Sequence, residues 1–118
     1  MKTAAQLIAE AKGRIREVSV ADVQAHSASG APFVLIDVRE GSEWQMGHIP
    51  GAIHLSRGTL EGAIEARVPR EADVVLYCAS GNRSALSAAS LQEMGYANVS
   101  SMAGGIKAWV AAGAPLED

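Results

Sequence analysis

The sequence predicts an α/β fold, a small central mostly parallel sheet flanked by helices. Three observations lead there. The runs Phe33-Val34-Leu35-Ile36 and Val74-Val75-Leu76-Tyr77 are continuously apolar rather than alternating, as strands covered on both faces are. Segments of helical character separate these and other short strands, the order that builds parallel sheets. The only cysteine, Cys78, directly follows the second run and precedes a glycine-containing loop that opens into a helix. That puts it beyond the carboxyl end of a strand, where such sheets bind ligands.

Taken in order, Thr3–Ala11 carries helix formers with Leu7 and Ile8 on one side, and Gly13 reads as the stop. Ile15–Val18 is a short strand. Ser19 suits the cap of a helix from Val20 to His26, which ends in the Ser27-Ala28-Ser29-Gly30 loop. Phe33–Ile36 is a buried strand between Pro32 and Asp37. A helical turn at Ser42–Met46, a short strand at Ala52–Leu55 and a helix at Thr59–Ala66 follow, the last ending before Pro69. Val74–Tyr77 is the expected partner of Phe33–Ile36. Beyond the cysteine loop come a helix from Ala85 to Met94 with Gly95 as its stop, a strand at Asn98–Met102 and a last helix at Ile106–Ala112. No internal repeat, linker or low-complexity segment interrupts the pattern.

A chain of 118 residues supports a single core, so residues 1–118 read as one domain with residues 1–13 as a helical extension. Apolar residues at 48% and charged residues at 19% are ordinary for a globular protein. The net charge of −3 is spread over interspersed signs, without the basic footprint of a nucleic-acid binder. No apolar stretch approaches the roughly 18 residues that span a bilayer, and Met1–Lys12 lacks a signal-peptide core, so the expected location is cytoplasmic and no membrane partner is expected. One cysteine allows neither an internal disulfide nor a cysteine-rich metal site.

The segment Cys78-Ala79-Ser80-Gly81-Asn82-Arg83-Ser84 carries the chemistry. Successive loop amides ahead of a helix form an anion-binding nest, with the positive end of the helix dipole behind them and Arg83 on the rim. A helix N-terminus and a nearby cation lower a cysteine pKa from near 8.5 to roughly 3.5–7.5, so Cys78 is expected to be a nucleophilic thiolate rather than an inert buried thiol. A cation in the first turn opposes the helix dipole, which makes anion binding the better reason for Arg83. Gly81 serves the backbone, by a positive φ or by close approach to the ligand. Ser80, Asn82 and Ser84 add polar contacts, or Ser84 caps the following helix.

These residues resemble the rhodanese domains, over about Ile15 to Gly113. Leu35-Ile36-Asp37-Val38-Arg39-Glu40, with Glu43-Trp44 and Gly47-His48-Ile49-Pro50-Gly51-Ala52, is similar to that family's first signature. Gly104-Gly105-Ile106-Lys107-Ala108-Trp109 is similar to its C-terminal one, and the cysteine loop lies between them. The resemblance implies transfer of sulfane sulfur through a Cys78 persulfide, with the loop from Ala79 to Ser84 binding the substrate. The implied donor is thiosulfate or a persulfide, including one on a partner protein, and the implied acceptor is cyanide or a thiol. No cofactor is required, since an ionised Cys78 needs no general base and sulfite departs without a proton.

Two other classes compete. A cysteine phosphatase or arsenate reductase is disfavoured because four residues separate Cys78 from Arg83, one fewer than in the related dual-specificity phosphatases, and because reduction lacks a second thiol. A non-catalytic module for protein recruitment is disfavoured by the presence of Cys78. His26, His48 and His54 show no ligand spacing, and His48 is expected to hydrogen-bond within a tight turn. Asp37 or Glu40 is expected to pair with a loop arginine, and Trp44 and Trp109 to pack in the core.

Overall fold

The apolar runs pair as the pattern predicts. A computed structural model describes residues 1–118, and in it β1 (Arg16–Val18), β2 (Val34–Asp37), β3 (Ile53–His54), β4 (Val74–Tyr77) and β5 (Val99–Met102) form one sheet in the order β1-β5-β4-β2-β3. Every pairing is parallel, so the sheet is wholly rather than mostly parallel. β4 is its centre. It runs beside β2 from Val34↔Val74 to Asp37↔Tyr77, and beside β5 from Val74↔Val99 to Leu76↔Ser101.

The helices are α1 (Ala4–Arg14), α2 (Val20–Ser29), α3 (Gly41–Gln45), α4 (Leu60–Ala63, continued by a 3-10 turn over Ile64–Ala66), α5 (Asn82–Glu93) and α6 (Gly105–Ala111). Successive strand side chains point to opposite faces, which sorts the core into two halves. Ile36, Val74, Leu76 and Val99 pack with Leu60 of α4, Ile64 of the following turn, and Ala88 and Leu91 of α5. Leu35, Val75, Tyr77 and Met102 pack with Val20 and Val23 of α2 and with Ile106 and Trp109 of α6. Each fully buried Leu or Ile contributes about 1.5–3 kcal/mol relative to an exposed one. Cys78 keeps the parity of Val74 and Leu76, so its sulfur lies on the α5 side. α1 packs on α5, burying Ala11.

Element boundaries depart from the sequence reading where tertiary contacts decide them. Gly13 does not stop α1; it lies inside the helix, which closes when the Ile15 N–H reaches the Ala11 carbonyl. α5 begins at Asn82, with Gly81 as its cap at φ 100°, so Ser84 is a first-turn residue and not the cap. α2 continues to Ser29 before Gly30 turns left-handed. Trp109 is in the core, but Trp44 is only half-buried and stacks on His48 with ring centroids 3.5 Å apart.

Among the glycines, Gly105 marks the tightest approach. At φ 59° its absent Cβ would stand 2.4 Å from the Cys78 carbonyl oxygen and 2.6 Å from the Ala79 carbonyl carbon. Gly105→Ala is expected to destabilise the fold by at least about 2 kcal/mol, from the left-handed backbone and the overlap together. Gly13→Ala makes the same chemical change in a helical site with open space around it, and is expected to stabilise by up to about 1 kcal/mol. Chemical denaturation of the two variants measures the contrast.

Candidate active site

The loop after β4 folds back over its own first residue. The Gly81 N–H points at Cys78 Sγ across 3.1 Å and the Ser84 N–H across 3.4 Å, while Ser84 Oγ lies 3.5 Å from the sulfur. Ser84 Oγ is in turn 2.7 Å from Ser101 Oγ on β5, which shares the α5 side of the sheet. When the sulfur is a thiolate, the Ser84 hydroxyl donates to it and accepts from Ser101. Burial pushes the thiol pKa up, as Cys78 is only 1% exposed. The Ser84 hydroxyl and the N–H groups of Ser84, Gly81 and Ser80 outweigh that, leaving the thiol more acidic than an ordinary cysteine.

Two backbone devices aim those amides. The positive φ of Gly81 turns its N–H inward, and a Cβ there would come within 3.2 Å of the Gly104 nitrogen. From the other side, the Ile106 N–H donates to the Cys78 carbonyl at 2.9 Å and the Lys107 N–H to the Ala79 carbonyl at 3.1 Å. With both carbonyls held by α6, the donor groups that follow are left facing the sulfur. This is the local role of the Gly104-Gly105-Ile106-Lys107 segment.

On the rim, Arg83 makes a bidentate pair with Glu43 of α3, Nη1 to Oε1 at 2.7 Å and Nη2 to Oε2 at 3.0 Å. The expected pairing of Asp37 or Glu40 with a loop arginine is met by Asp37 and Arg39, whereas Arg83 takes Glu43, whose carboxylate is also fixed by the Glu40 N–H at 2.9 Å. Arg83 lowers the Glu43 pKa to about 2. Asp37 is engaged elsewhere: it is fully buried and grips Arg39, with Nη2 to Oδ2 at 2.8 Å and the Arg39 N–H to Oδ1 at 2.9 Å. Arg39 also donates to the Gly47 carbonyl at 2.8 Å, tying β2 to the turn after α3.

His48 lies in that turn with Nδ1 3.2 Å from the Trp44 carbonyl, and His54 Nε2 lies 2.8 Å from the Arg39 carbonyl. None of the three histidines hydrogen-bonds to Cys78. Ser80 and Asn82 are exposed, and Ala79 is half-buried. Cys78 is buried, and its own loop folds over the sulfur.

Residues 19–112 match the rhodanese-like domain family. The chain belongs to that family. This rhodanese-like domain is 32% identical over 102 residues to a sulfurtransferase of Allochromatium vinosum, covering 86% of this chain and 94% of that protein. Its backbone resembles a Rhodopseudomonas palustris protein of unknown function, described as a possible tyrosine phosphatase, with a TM-score of 0.90, 36% identity and coverage of 99% and 96% of the two chains. It also resembles the homodimeric polysulfide-sulfur transferase of Wolinella succinogenes, with a TM-score of 0.80, 30% identity and coverage of 94% and 84%. The family match and the two sulfurtransferase relatives place the rhodanese-like domain among sulfurtransferase-type members of its family. No helix in it is long and apolar enough to cross a membrane.

Sequence reasoning missed Ser101 and Glu43. Ser101 had a signal, a hydroxyl inside the otherwise buried Val99-Ser100-Ser101-Met102 strand, since buried polar groups need partners. Ser84→Ala is expected to raise the Cys78 pKa and slow its alkylation by iodoacetamide at neutral pH, read from the rate against pH. A second expectation concerns Glu43, whose folded pKa is depressed from 4.5 to about 2. Its contribution to stability is complete above pH 4.5 and falls as pH drops toward 2. Glu43→Gln should flatten the wild-type fall in Tm over that range.

Proposed function

We propose that this domain carries sulfane sulfur on Cys78 as a persulfide, taking it from thiosulfate or a persulfide donor and passing it to a thiophilic acceptor, cyanide or a thiol. The observation that carries this reading is the convergence of the Gly81 and Ser84 N–H groups and the Ser84 hydroxyl on one sulfur atom. Those donors are present before reaction, so they stabilise a thiolate without reorganising. The thiolate attacks the outer sulfur of the donor, the donor S–S bond breaks, and its electron pair leaves on sulfite or on a thiolate. An acceptor then attacks the outer sulfur of the Cys78 persulfide, and the electron pair returns to Cys78.

Loop residues divide the work. Gly81 and Ser84 hold the reactive sulfur; Ala79, Ser80, Asn82 and Arg83 form the surface over which the donor arrives. The four-residue interval between Cys78 and Arg83 suits attack on a single terminal sulfur more than enclosure of a tetrahedral phosphate. That favours sulfur transfer over the phosphatase reading.

The test is intact mass measurement of freshly reduced protein after incubation with thiosulfate or with glutathione persulfide. Cys78 is expected to gain the mass of one sulfur atom, and cyanide to remove it as thiocyanate, with neither change in Cys78→Ser. Failure of both donors to load the folded protein would overturn the proposal. Turnover of an aryl phosphate that disappears in Cys78→Ser would put the phosphatase in its place.

A further inference from the structure

The two serines of β5 are placed differently. Ser100 has the parity of Met102 and points to the α2 side of the sheet, where its buried hydroxyl has no hydrogen-bond partner. Ser101 points to the α5 side and is fully buried, and its one hydrogen-bond partner is Ser84 Oγ at 2.7 Å.

Ser84 is the middle of a line of three polar atoms. Its Oγ lies between Ser101 Oγ and Cys78 Sγ, 3.5 Å from the sulfur. A helical serine can return its proton to the carbonyl four residues back, as Ser87 does to Arg83 at 2.8 Å. Ser84 makes no such bond, and both of its hydroxyl contacts lead away from the helix.

The protons on that line have one favourable arrangement when the sulfur is charged. A buried O–H left unpaired is unfavourable, and Ser84 Oγ is the acceptor within reach of the Ser101 proton. Ser84 therefore accepts from Ser101 and sends its own proton to Sγ. Accepting one hydrogen bond also polarises the bond it donates and strengthens it. Without the Ser101 hydroxyl, the Ser84 O–H would be free to rotate off the sulfur.

The consequence falls on discharge of the persulfide. Cyanide attacks the outer sulfur of Cys78–S–S⁻, a C–S bond forms, the S–S bond breaks, and its electron pair goes to Sγ, giving thiocyanate and the Cys78 thiolate. Negative charge thus develops on the atom at which Ser84 is aimed. We infer that Ser101 is a positioning residue that holds the Ser84 hydroxyl toward Cys78 Sγ, and so makes Cys78 a better leaving group when an acceptor takes its sulfur. The inference rests on the sulfurtransfer reading of Cys78 and deepens it. Ser101 touches no reacting atom and acts through Ser84.

The test compares wild type with Ser101→Ala, Ser101→Thr, Ser84→Ala, the Ser84→Ala/Ser101→Ala double variant and Ser100→Ala. Iodoacetamide alkylation against pH reports the ionisation of Cys78. Charged groups on the elements around the loop, Asp37 and Arg39 at the end of β2, Glu40 and Glu43 by α3, Arg83 on α5 and Lys107 on α6, are the same throughout the set, so the comparison isolates the hydroxyls. Ser101→Ala should raise the midpoint by about half a pH unit, Ser101→Thr, which keeps the hydroxyl, should stay near wild type, and Ser100→Ala should leave it unmoved. In the Ser84→Ala background, loss of Ser101 should add nothing. The second readout is the two half-reactions at a pH where Cys78 is fully ionised. Ser101→Ala should slow cyanide discharge of the persulfide about threefold without slowing loading from glutathione persulfide, because a more basic thiolate leaves more slowly but attacks no less well. A merely structural role would lower both rates together, and that result would overturn the inference. So would a midpoint unmoved in Ser101→Ala, an equal shift in Ser100→Ala, or a Ser101 effect that persists without Ser84. A wild type that fails to load from any donor would overturn the sulfurtransfer reading and the leaving-group role with it, while the alkylation midpoints would still decide whether Ser101 aims Ser84.

Discussion

Burying a sulfur atom that must carry charge is unfavourable unless donors surround it, and that constraint organises the end of β4. Cys78 is covered by the sheet below and by its own loop above, so water does little for its charge. Backbone amides of Gly81 and Ser84 replace that water, and the Ser84 hydroxyl adds a third donor. The arrangement acidifies the thiol against the opposing effect of burial.

The fold serves this cradle from several directions. Strand parity sends Val74 and Leu76 into the core and brings Cys78 to the same side, under the first turn of α5. Parallel pairing places β2 and β5 on either side, so Asp37 and Ser101 reach the same edge of the sheet. α6 then closes the back of the loop by donating to the carbonyls of Cys78 and Ala79. Gly105 permits that contact because any Cβ would collide with the same carbonyls. The two-glycine segment therefore acts on the chemistry through the backbone, although neither glycine faces the sulfur with a side chain.

Much of this was legible in the chain. Continuous apolar runs marked the central strands because both their faces are covered, and the cysteine's position after one of them located the reactive end. The conformational demand on Gly81 was legible too, since a loop that turns amides inward needs a positive φ. What the sequence hid were contacts between distant segments. Arg83 and Glu43 are separated by 40 residues, and nothing local distinguishes Glu43 from Glu40 as the partner. The start of α5 was equally hidden: Ser84 has the chemistry of a helix cap, yet its hydroxyl turns to Cys78 and Ser101, and Gly81 begins the helix through its backbone. Gly13 failed as a stop because a glycine in the last turn of α1 can remain helical when the turn closes around it.

The charge on the sulfur is best read directly, by following the ¹³Cβ chemical shift of Cys78 against pH in the reduced protein. With only one cysteine in the chain, the titration is unambiguous. A midpoint below the roughly 8.5 of a free cysteine is the expected result. A midpoint at or above that value would mean that burial prevails over the loop donors, and would contradict the account at its base.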